Sequence, residues 1–213
     1  MPRTGLEAAS RQESKTKLLD AALKVIRAKG YAATRVEDIC EAAGLTKGSF
    51  FHHFKSKEDL AIAAAEHWSA VTGGLFVTAP YHDHADPVDR LLAYVDFRKA
   101  LLHGDLSEFT CLAGTMVQEV YATHPLIRET CGASIAGHAG TLVADIEAAR
   151  RQYGIAGDWS AESLALHTQA VLQGAFILAK AKQDPNVAAD CVDHLRRYLE
   201  LLFRQPRAEE ERP

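Results

Sequence analysis

Apolar residues recur at three- and four-residue steps along most of this 213-residue chain, which is the spacing of an amphipathic α-helix. A short stretch near the N-terminus shows the pattern clearly, with one apolar stripe formed by Val36, Ile39, Cys40 and Ala43. The C-terminal part carries broader apolar faces, which indicate helices buried on more than one side. The pattern therefore predicts an all-α protein.

Start and stop signals divide this pattern into nine predicted helices. Glycine, proline and capping residues mark the boundaries, as at Gly30, Pro87 and the pair Gly73-Gly74. The predicted helices cover residues 14–29, 34–43, 46–54, 56–72, 87–102, 109–123, 125–153 (interrupted by glycines), 161–182 and 188–203.

The second and third predicted helices are joined by a tight turn. Thr34 and Glu37 have the spacing of a capping box, in which each side chain bonds the other residue's amide. Gly44 falls where a left-handed C-cap is expected, and Thr46 can cap the next helix. Helix, short glycine-containing turn and helix together predict a helix-turn-helix.

The third predicted helix is short and carries basic and aromatic residues. Phe50 and Phe54 are four apart and can pack inward, which leaves His52, His53 and Lys55 to face phosphates. A glycine such as Gly48 destabilises a helix by about 1 kcal/mol relative to alanine, so its presence needs a reason. Close approach of the helix to a nucleic-acid duplex is one physical reason for the missing side chain. A second capping box, Ser56 to Asp59, starts the fourth helix.

The run AGLTKGSFFHHFKSKEDL resembles the N-terminal domain of the TetR family of transcriptional regulators, and the resemblance covers about residues 14–65. It implies an all-α homodimer whose third helix enters the major groove of an operator. One position departs from the family pattern, because Phe51 stands where a phosphate-binding tyrosine is usual. The predicted DNA-binding residues are Thr34, Arg35, Thr46, Lys47, Gly48, Ser49, Phe51, His52, His53 and Lys57.

Charge is distributed unevenly along the chain, although the formal net charge is −4. Residues 1–60 carry 11 Lys+Arg and 8 Asp+Glu, a net of +3, whereas the remainder carries 13 and 20, a net of −7. A basic N-terminal part on an acidic body is typical of a DNA reader with a separate regulatory domain.

These patterns predict a three-helix DNA-binding domain followed by a larger helical ligand-binding and dimerisation domain. The boundaries are a mobile arm at 1–13, the DNA-binding domain at 14–58, the regulatory domain at 59–204 and a charged tail at 205–213. The fourth helix connects the two domains and is expected to carry the ligand signal. The last two helices are so apolar that a four-helix bundle between two subunits is the economical solution, as the resemblance also implies.

A mostly apolar pocket between helices is expected in the regulatory domain for a small-molecule effector. Its candidate lining is Phe97, Phe109, Cys111, Met116, Glu119, Val120, His138, His167 and Phe176. Cys111 offers an alternative, in which the regulator senses electrophiles or oxidants through a thiol. Weaker alternatives are metal sites, one from His82, Asp83, His84 and Asp86 and one from His103, His124, His138 and His167.

Other protein classes are disfavoured by the motifs that the sequence lacks. GxSxG, Walker, HExxH and GxGxxG motifs do not occur, which argues against an enzyme, and no cofactor is expected. No apolar run approaches the roughly 18 to 20 residues that span a bilayer, which favours a cytoplasmic protein. The four cysteines have no CxxC pairs, so we expect reduced thiols and no cysteine-based zinc site.

Overall fold

The computed structural model describes residues 3–204, with side chains from Ala9 onward. These residues form helices joined by short loops, and no strand occurs among them, which confirms the predicted all-α class. The helices are α1 (Arg3–Lys29), α2 (Val36–Ala43), α3 (Lys47–His53), α4 (Lys57–Val77), a 3-10 helix (Pro80–Asp83), α5 (Pro87–Ala100), α6 (Leu106–Phe109), α7 (Leu112–Val120), α8 (Pro125–Gly140), α9 (Val143–Tyr153), α10 (Ala161–Lys182) and α11 (Asn186–Phe203).

The first of two compact units combines the described residues up to Val77 with Asp105–Ala136. Its core is formed where α1 packs on α2, α4, α6 and α7. Among its fully buried side chains are Leu18, Ile26, Ile39, Phe50, Leu60, Leu112 and Met116. Helices α2 and α3 therefore share one core with α6 and α7, which the predicted boundary at residue 58 had assigned to another domain.

The second compact unit combines Thr78–Gly104 with the described residues from Gly137 onward. Here α5 packs on α9 and α11, and α10 packs on α9 and α11. Ion pairs join these helices, including Arg90 to Asp145 at 2.8 Å and Lys99 to Asp193 at 2.7 Å. Asp86 caps α5 by accepting from the Val88 and Asp89 amides.

Two helices are longer than their predicted bounds. Helix α1 begins at Arg3, so the predicted mobile arm is helical from that residue, as its alanines and long polar side chains permit. Helix α4 continues through Gly73 and Gly74 to Val77, because each glycine weakens a helix by about 1 kcal/mol without having to end it. The predicted tail at 205–213 lies outside the described residues.

Two other predicted helices are divided. In the segment 109–123, only Phe109 belongs to α6, Thr110-Cys111 interrupt the helix with extended backbone, and α7 covers Leu112–Val120. The segment 125–153 divides once, at Thr141-Leu142, so Gly140 ends a helix whereas Gly132 and Gly137 lie within it. Helix α11 begins two residues earlier than predicted, at Asn186.

One apolar stretch corrects the expectation about membrane-length segments. Lys57–Asp83 has a mean hydropathy of 1.2 over its most apolar window and is long enough, by length and composition alone, to cross a membrane. Core helices of soluble proteins meet the same criterion. Leu60, Ala61, Ala64 and Ala65 of this stretch are buried in the first unit.

Candidate nucleic-acid interface

Helices α2 and α3 form the predicted helix-turn-helix. Gly44 adopts the left-handed conformation at φ 64° and ψ 33°, and the Leu45 amide donates to the Cys40 carbonyl at 2.9 Å. Thr46 then caps α3, since its hydroxyl accepts from the Ser49 amide at 3.2 Å. The glycine therefore ends α2 and the threonine starts α3, as the sequence predicted.

Two phenylalanines fix which face of α3 points outward. Phe50 and Phe54 are 0% and 2% exposed and pack in the core of the first unit, with their ring centroids 5.7 Å apart. Because the helix has only seven residues, burying this side leaves the other side in solvent. The exposed residues that follow are Thr46, Lys47, Gly48, Phe51 and His52.

Lys47 and Gly48 occupy the first turn of this exposed face. The Lys47 ammonium pairs with the Glu37 carboxylate of α2, which holds the pKa of Glu37 below its ordinary value. A Cβ placed on Gly48 would meet only the Thr46 hydroxyl, at 3.6 Å. The fold therefore leaves room for a side chain at position 48, and no internal contact of this unit requires glycine there.

The remaining aromatic residues of α3 differ in their exposure. Phe51 is 58% exposed, with its ring edge-on to Phe50 at 5.1 Å. His53 is half-buried, and its Nε2 lies 2.7 Å from the Ser14 hydroxyl of α1. Burial, together with the nearby His52, Arg11 and Lys15, lowers the pKa of His53. His53 is thus tied to α1, whereas His52 faces solvent.

The turn between α1 and α2 corrects two expectations at the start of the motif. Thr34 is 1% exposed and its hydroxyl donates to the Gly30 carbonyl at 2.6 Å, so this side chain is inaccessible to DNA. The N-cap of α2 is Arg35, whose amide donates to the Asp38 carboxylate at 2.7 Å. Only the Asp38 half of a capping box therefore forms, one residue later than predicted, because the Thr34 hydroxyl is already engaged and the Arg35 side chain has no acceptor. The Arg35 side chain is exposed and paired with Asp38 at 3.2 Å.

Lys57 lies at the start of α4 and makes contacts that the sequence did not predict. Its ammonium donates to the Tyr31 carbonyl at 3.0 Å and the Thr34 carbonyl at 2.9 Å, and it lies 4.3 Å from the centre of the Tyr31 ring. Burial lowers the pKa of this lysine. Two of its three N–H donors are used within the protein, so one remains for a phosphate. In the second predicted capping box, the Ser56 hydroxyl accepts from the Asp59 backbone amide at 3.0 Å. The Asp59 carboxylate, however, accepts from the backbone amide of Lys55 and not from that of Ser56.

The candidate ligand-binding residues are divided between the two units. In the first unit, Met116 and Val120 are core residues, and Glu119 binds the backbone of the α1–α2 turn and is thereby committed to the fold. Phe109 ends α6, and Cys111 caps α7 with its sulfur 3.4 Å from the Gly114 amide.

In the second unit, the candidates lie in three different environments. His167 is exposed, with its ring 5.2 Å from that of Tyr198, whereas Phe176 is buried. Phe97 lies beside Tyr81, with ring centroids 6.0 Å apart. His138 belongs to a polar cluster in the core.

That polar cluster was missed because its members lie within apolar helix faces. The Tyr94 hydroxyl is 2.9 Å from His138 Nε2 and accepts from the Gln169 amide at 3.3 Å, and both Tyr94 and Gln169 are buried. An Arg98 nitrogen is 3.5 Å from His138. Burial, and then the charge of Arg98, lowers the pKa of His138 to about 4. Gln169, inside a predicted helix that is apolar nearly all round, was the available signal.

The alternative metal sites find no support in the geometry. Within the part of the chain that the structure describes, no three His, Cys, Asp or Glu side chains are grouped so as to hold a metal ion. His84 and Asp86 contribute to other contacts, since the His84 carbonyl accepts from Arg90 and the Asp86 carboxylate accepts from Gln152 and Tyr153.

Comparison with protein families gives two matches along the chain. Residues 18–64 match the model described as bacterial regulatory proteins, tetR family. Residues 87–195, just over half of the chain, match the tetracyclin repressor-like C-terminal domain. The first match contains the helix-turn-helix, and the second begins at α5.

Curated relatives are similar to this chain over only part of its length. The transcriptional regulator AcuR of Cereibacter sphaeroides is 29% identical over 121 residues, which are 57% of this chain and 54% of AcuR. The HTH-type transcriptional repressor KstR2 of Rhodococcus jostii is 48% identical over 46 residues, 22% of each chain. The first three curated relatives are covered over only 19%, 32% and 54% of their own lengths.

A solved structure extends the similarity to nearly the whole chain. A TetR-family regulator from Agrobacterium tumefaciens superposes with a TM-score of 0.78, over 91% of this chain and 99% of that one. The two sequences are 22% identical, so this likeness shows the fold alone.

Proposed function

Because this chain belongs to the TetR family of bacterial transcriptional regulators, we propose that it is a ligand-responsive repressor acting as a homodimer in the cytoplasm. It binds a palindromic operator and is released when a small molecule binds its C-terminal domain. The observation that carries the proposal is the face of α3, where two buried phenylalanines turn Thr46, Lys47, Gly48 and His52 toward solvent. We assign no catalytic role to the chain, since its relatives are regulators.

We assign sequence reading to the start of α3 and positioning to its flanks. Lys47, Gly48 and Ser49 are placed to meet base edges, because the exposed first turns of a recognition helix enter the major groove. His52 and Lys57 are placed to meet phosphates, which fix the register without reading sequence. Phe51 replaces a phosphate-binding hydroxyl with an exposed ring, and we assign it apolar contact with the groove.

The second subunit is proposed from an apolar face on the last two helices. Leu166 and Ile177 of α10 are 52% and 46% exposed and lie three helical turns apart on one side, with Gly174 between them. Tyr198 and Leu201 of α11 are 44% and 66% exposed. Large apolar side chains exposed on two helices that pack together favour a partner, and a second copy can form a four-helix bundle on them.

We propose that an effector releases the dimer from DNA by shifting it between two forms, which differ in the separation of their two α3 helices. Two α3 helices bind together only if their separation matches one duplex turn, about 34 to 36 Å, or a larger helical spacing. An effector that binds better to a dimer with another spacing weakens DNA binding by its differential affinity for the two forms. The C-terminal family match supports this domain as the place of ligand binding.

The proposal is tested by a mobility shift on DNA taken from next to the protein's own gene. We expect a discrete complex that survives excess non-specific competitor and is lost in a variant with Lys47→Ala and His52→Ala. A complex that the competitor removes equally from wild type and variant would contradict the assignment of α3. Adding candidate compounds to the discrete complex then identifies the effector by release.

A second candidate regulation places the sensor at Cys111, as a thiol that reacts with electrophiles or oxidants. The thiol is half-buried at the start of α7, where the Gly114 amide approaches its sulfur and Arg27 is near enough to interact electrostatically. If Cys111→Ser leaves release of DNA by thiol-reactive compounds unchanged, Cys111 is not the sensor.

A further inference from the structure

The turn between α1 and α2 has backbone groups that no regular helix pairs. The Tyr31 and Ala32 amides donate to the Glu119 carboxylate of α7, at 3.2 and 2.8 Å. On the carbonyl side, Tyr31 and Thr34 accept from the Lys57 ammonium of α4. A carboxylate therefore holds the amides and an ammonium holds the carbonyls of one short turn.

The shape of the turn is matched to the carboxylate. Gly30 has φ +86°, and a Cβ there would lie 2.2 Å from a Glu119 oxygen. The bare backbone thus lets the carboxylate approach. The Tyr31 ring is buried between Lys57 and His124, with the His124 ring edge-on at 5.4 Å. The turn is therefore contacted by Lys57 of α4, by Glu119 of α7 and by His124 of the loop that follows α7.

Glu119 itself contributes little to the core. Glu119 is exposed, although its neighbours Met116 and Val120 on α7 are buried. Its carboxylate also acts on Lys57, because its charge opposes the lowering of the lysine's pKa by burial. An exposed carboxylate held by two backbone amides positions a segment and does not fill a core.

We infer that Glu119 is a positioning residue for DNA recognition, which holds the α1–α2 turn so that α2 and α3 meet the duplex at the required angle. The inference rests on the proposed DNA-binding function. Glu119 lies in the segment matched by the C-terminal family model, whereas Tyr31 and Ala32 lie in the segment matched by the N-terminal one. Helix α7 therefore acts on the reading helices directly, in addition to α4.

Whether Glu119→Gln weakens or strengthens DNA binding distinguishes a positioning role from a simple effect of charge. Glu119→Gln removes a negative charge, and charge alone would strengthen binding to polyanionic DNA. Loss of the clamp weakens it, because the glutamine amide keeps one acceptor oxygen but presents its NH2 group to the other backbone N–H donor. Glu129→Gln is the matched control, since Glu129 lies exposed on α8 and pairs only with its neighbour Arg128 among the ion pairs of the described residues.

The experiment uses the full-length protein and a duplex that it selects from a randomised pool. We expect Glu119→Gln to raise the Kd about tenfold, the scale of one lost charge-assisted hydrogen bond, with the salt dependence of binding unchanged. Glu129→Gln should bind as tightly as wild type or slightly more tightly. Binding by Glu119→Gln that equals or exceeds wild type would overturn the inference.

Hydrogen exchange of the free protein supplies a second measurement that needs no DNA. The Tyr31 and Ala32 amides should exchange faster in Glu119→Gln and unchanged in Glu129→Gln, and equal rates in all three proteins would overturn the clamp. If wild type selects no duplex, the proposed function fails, while the exchange rates still report on the clamp. The two failures are thereby distinguishable.

Discussion

At the scale of single residues, the exposed face of α3 depends on two phenylalanines and one glycine. Phe50 and Phe54 anchor the helix in the core, and their burial decides the orientation of every other side chain on it. Gly48 contributes no contact of its own, and a Cβ there would meet open space apart from Thr46. The fold tolerates a side chain at position 48, so no contact within this unit requires glycine there, and we propose that close approach to DNA does.

Gly48→Ala is expected to stabilise the free protein and to weaken DNA binding. Alanine is favoured over glycine in a helix interior by about 1 kcal/mol, so thermal unfolding should occur a few degrees higher. A methyl group at the groove should raise the Kd for the operator severalfold or more. Gly132→Ala in α8, also facing open space, is the control, with similar stabilisation and unchanged DNA binding. Unchanged binding by Gly48→Ala would contradict close approach at this position.

His138 makes the stability of the protein sensitive to acid. Its folded pKa is about 4, below the ordinary 6.5, because burial and Arg98 disfavour the charged imidazole. The unfolded chain therefore binds a proton in this range that the folded chain does not, and stability falls as the pH drops from 6.5 toward 4.

We expect His138→Gln to lose less stability than wild type between pH 7 and pH 5, measured by thermal or urea unfolding at several pH values. Glutamine retains hydrogen bonding toward the Tyr94 hydroxyl but cannot be protonated in this range. His103→Gln is the control, because His103 is exposed. Parallel pH profiles for wild type and His138→Gln would contradict the buried neutral histidine.

At the scale of elements, local signals identified the helix-turn-helix well. Gly44, Thr46, Phe50 and Phe54 have the predicted conformations or burial, since caps and periodicity depend on near neighbours in sequence. The predictions were wrong where residues distant in sequence determine the local hydrogen bonds. Thr34 does not cap α2, because its hydroxyl binds the Gly30 carbonyl in a turn whose other groups are held by Lys57 and Glu119.

Lys57 is the element-level link between α4 and the reading helices. Lys57→Ala should weaken binding to all duplexes to a similar extent, since a phosphate contact carries no sequence information. It should also lower the slope of log K against log salt by about one. A titration of DNA binding over several salt concentrations measures both. An unchanged slope would restrict Lys57 to its contacts with the Tyr31 and Thr34 carbonyls.

If the proposed dimer forms through the apolar face of α10 and α11, a charge placed on that face should separate the two subunits. Ile177→Glu places a charge on this face, and burying it against a second copy is costly, so we expect monomers in sedimentation experiments. DNA binding should fall at least tenfold, because a single reading helix loses half of the contacts. Leu126→Glu on α8 is the control, since Leu126 is 58% exposed and belongs to the first unit, whereas α10 and α11 belong to the second. A dimer that persists in Ile177→Glu would place the interface elsewhere.

At the scale of the whole molecule, the division into units differs from the division of the sequence. Charge and motif separated a basic N-terminal part from an acidic remainder, and both family matches follow that separation. The contacts instead join α6 and α7 to the N-terminal helices, because α1 packs on both. Hydrophobic periodicity cannot reveal which helices share a core, so this arrangement was inaccessible from sequence.

Specific recognition of duplex DNA by the α3 face is the central claim, and selection from a randomised duplex pool by the full-length protein tests it most directly. We predict enrichment of an inverted repeat whose half-sites are centred one helical turn, or a larger helical spacing, apart. The enriched duplex should be bound at least a thousandfold more tightly than a scrambled one at the same salt concentration. A pool that remains random after repeated selection, or equal affinity for the two duplexes, would contradict the assignment of α3 as a recognition helix.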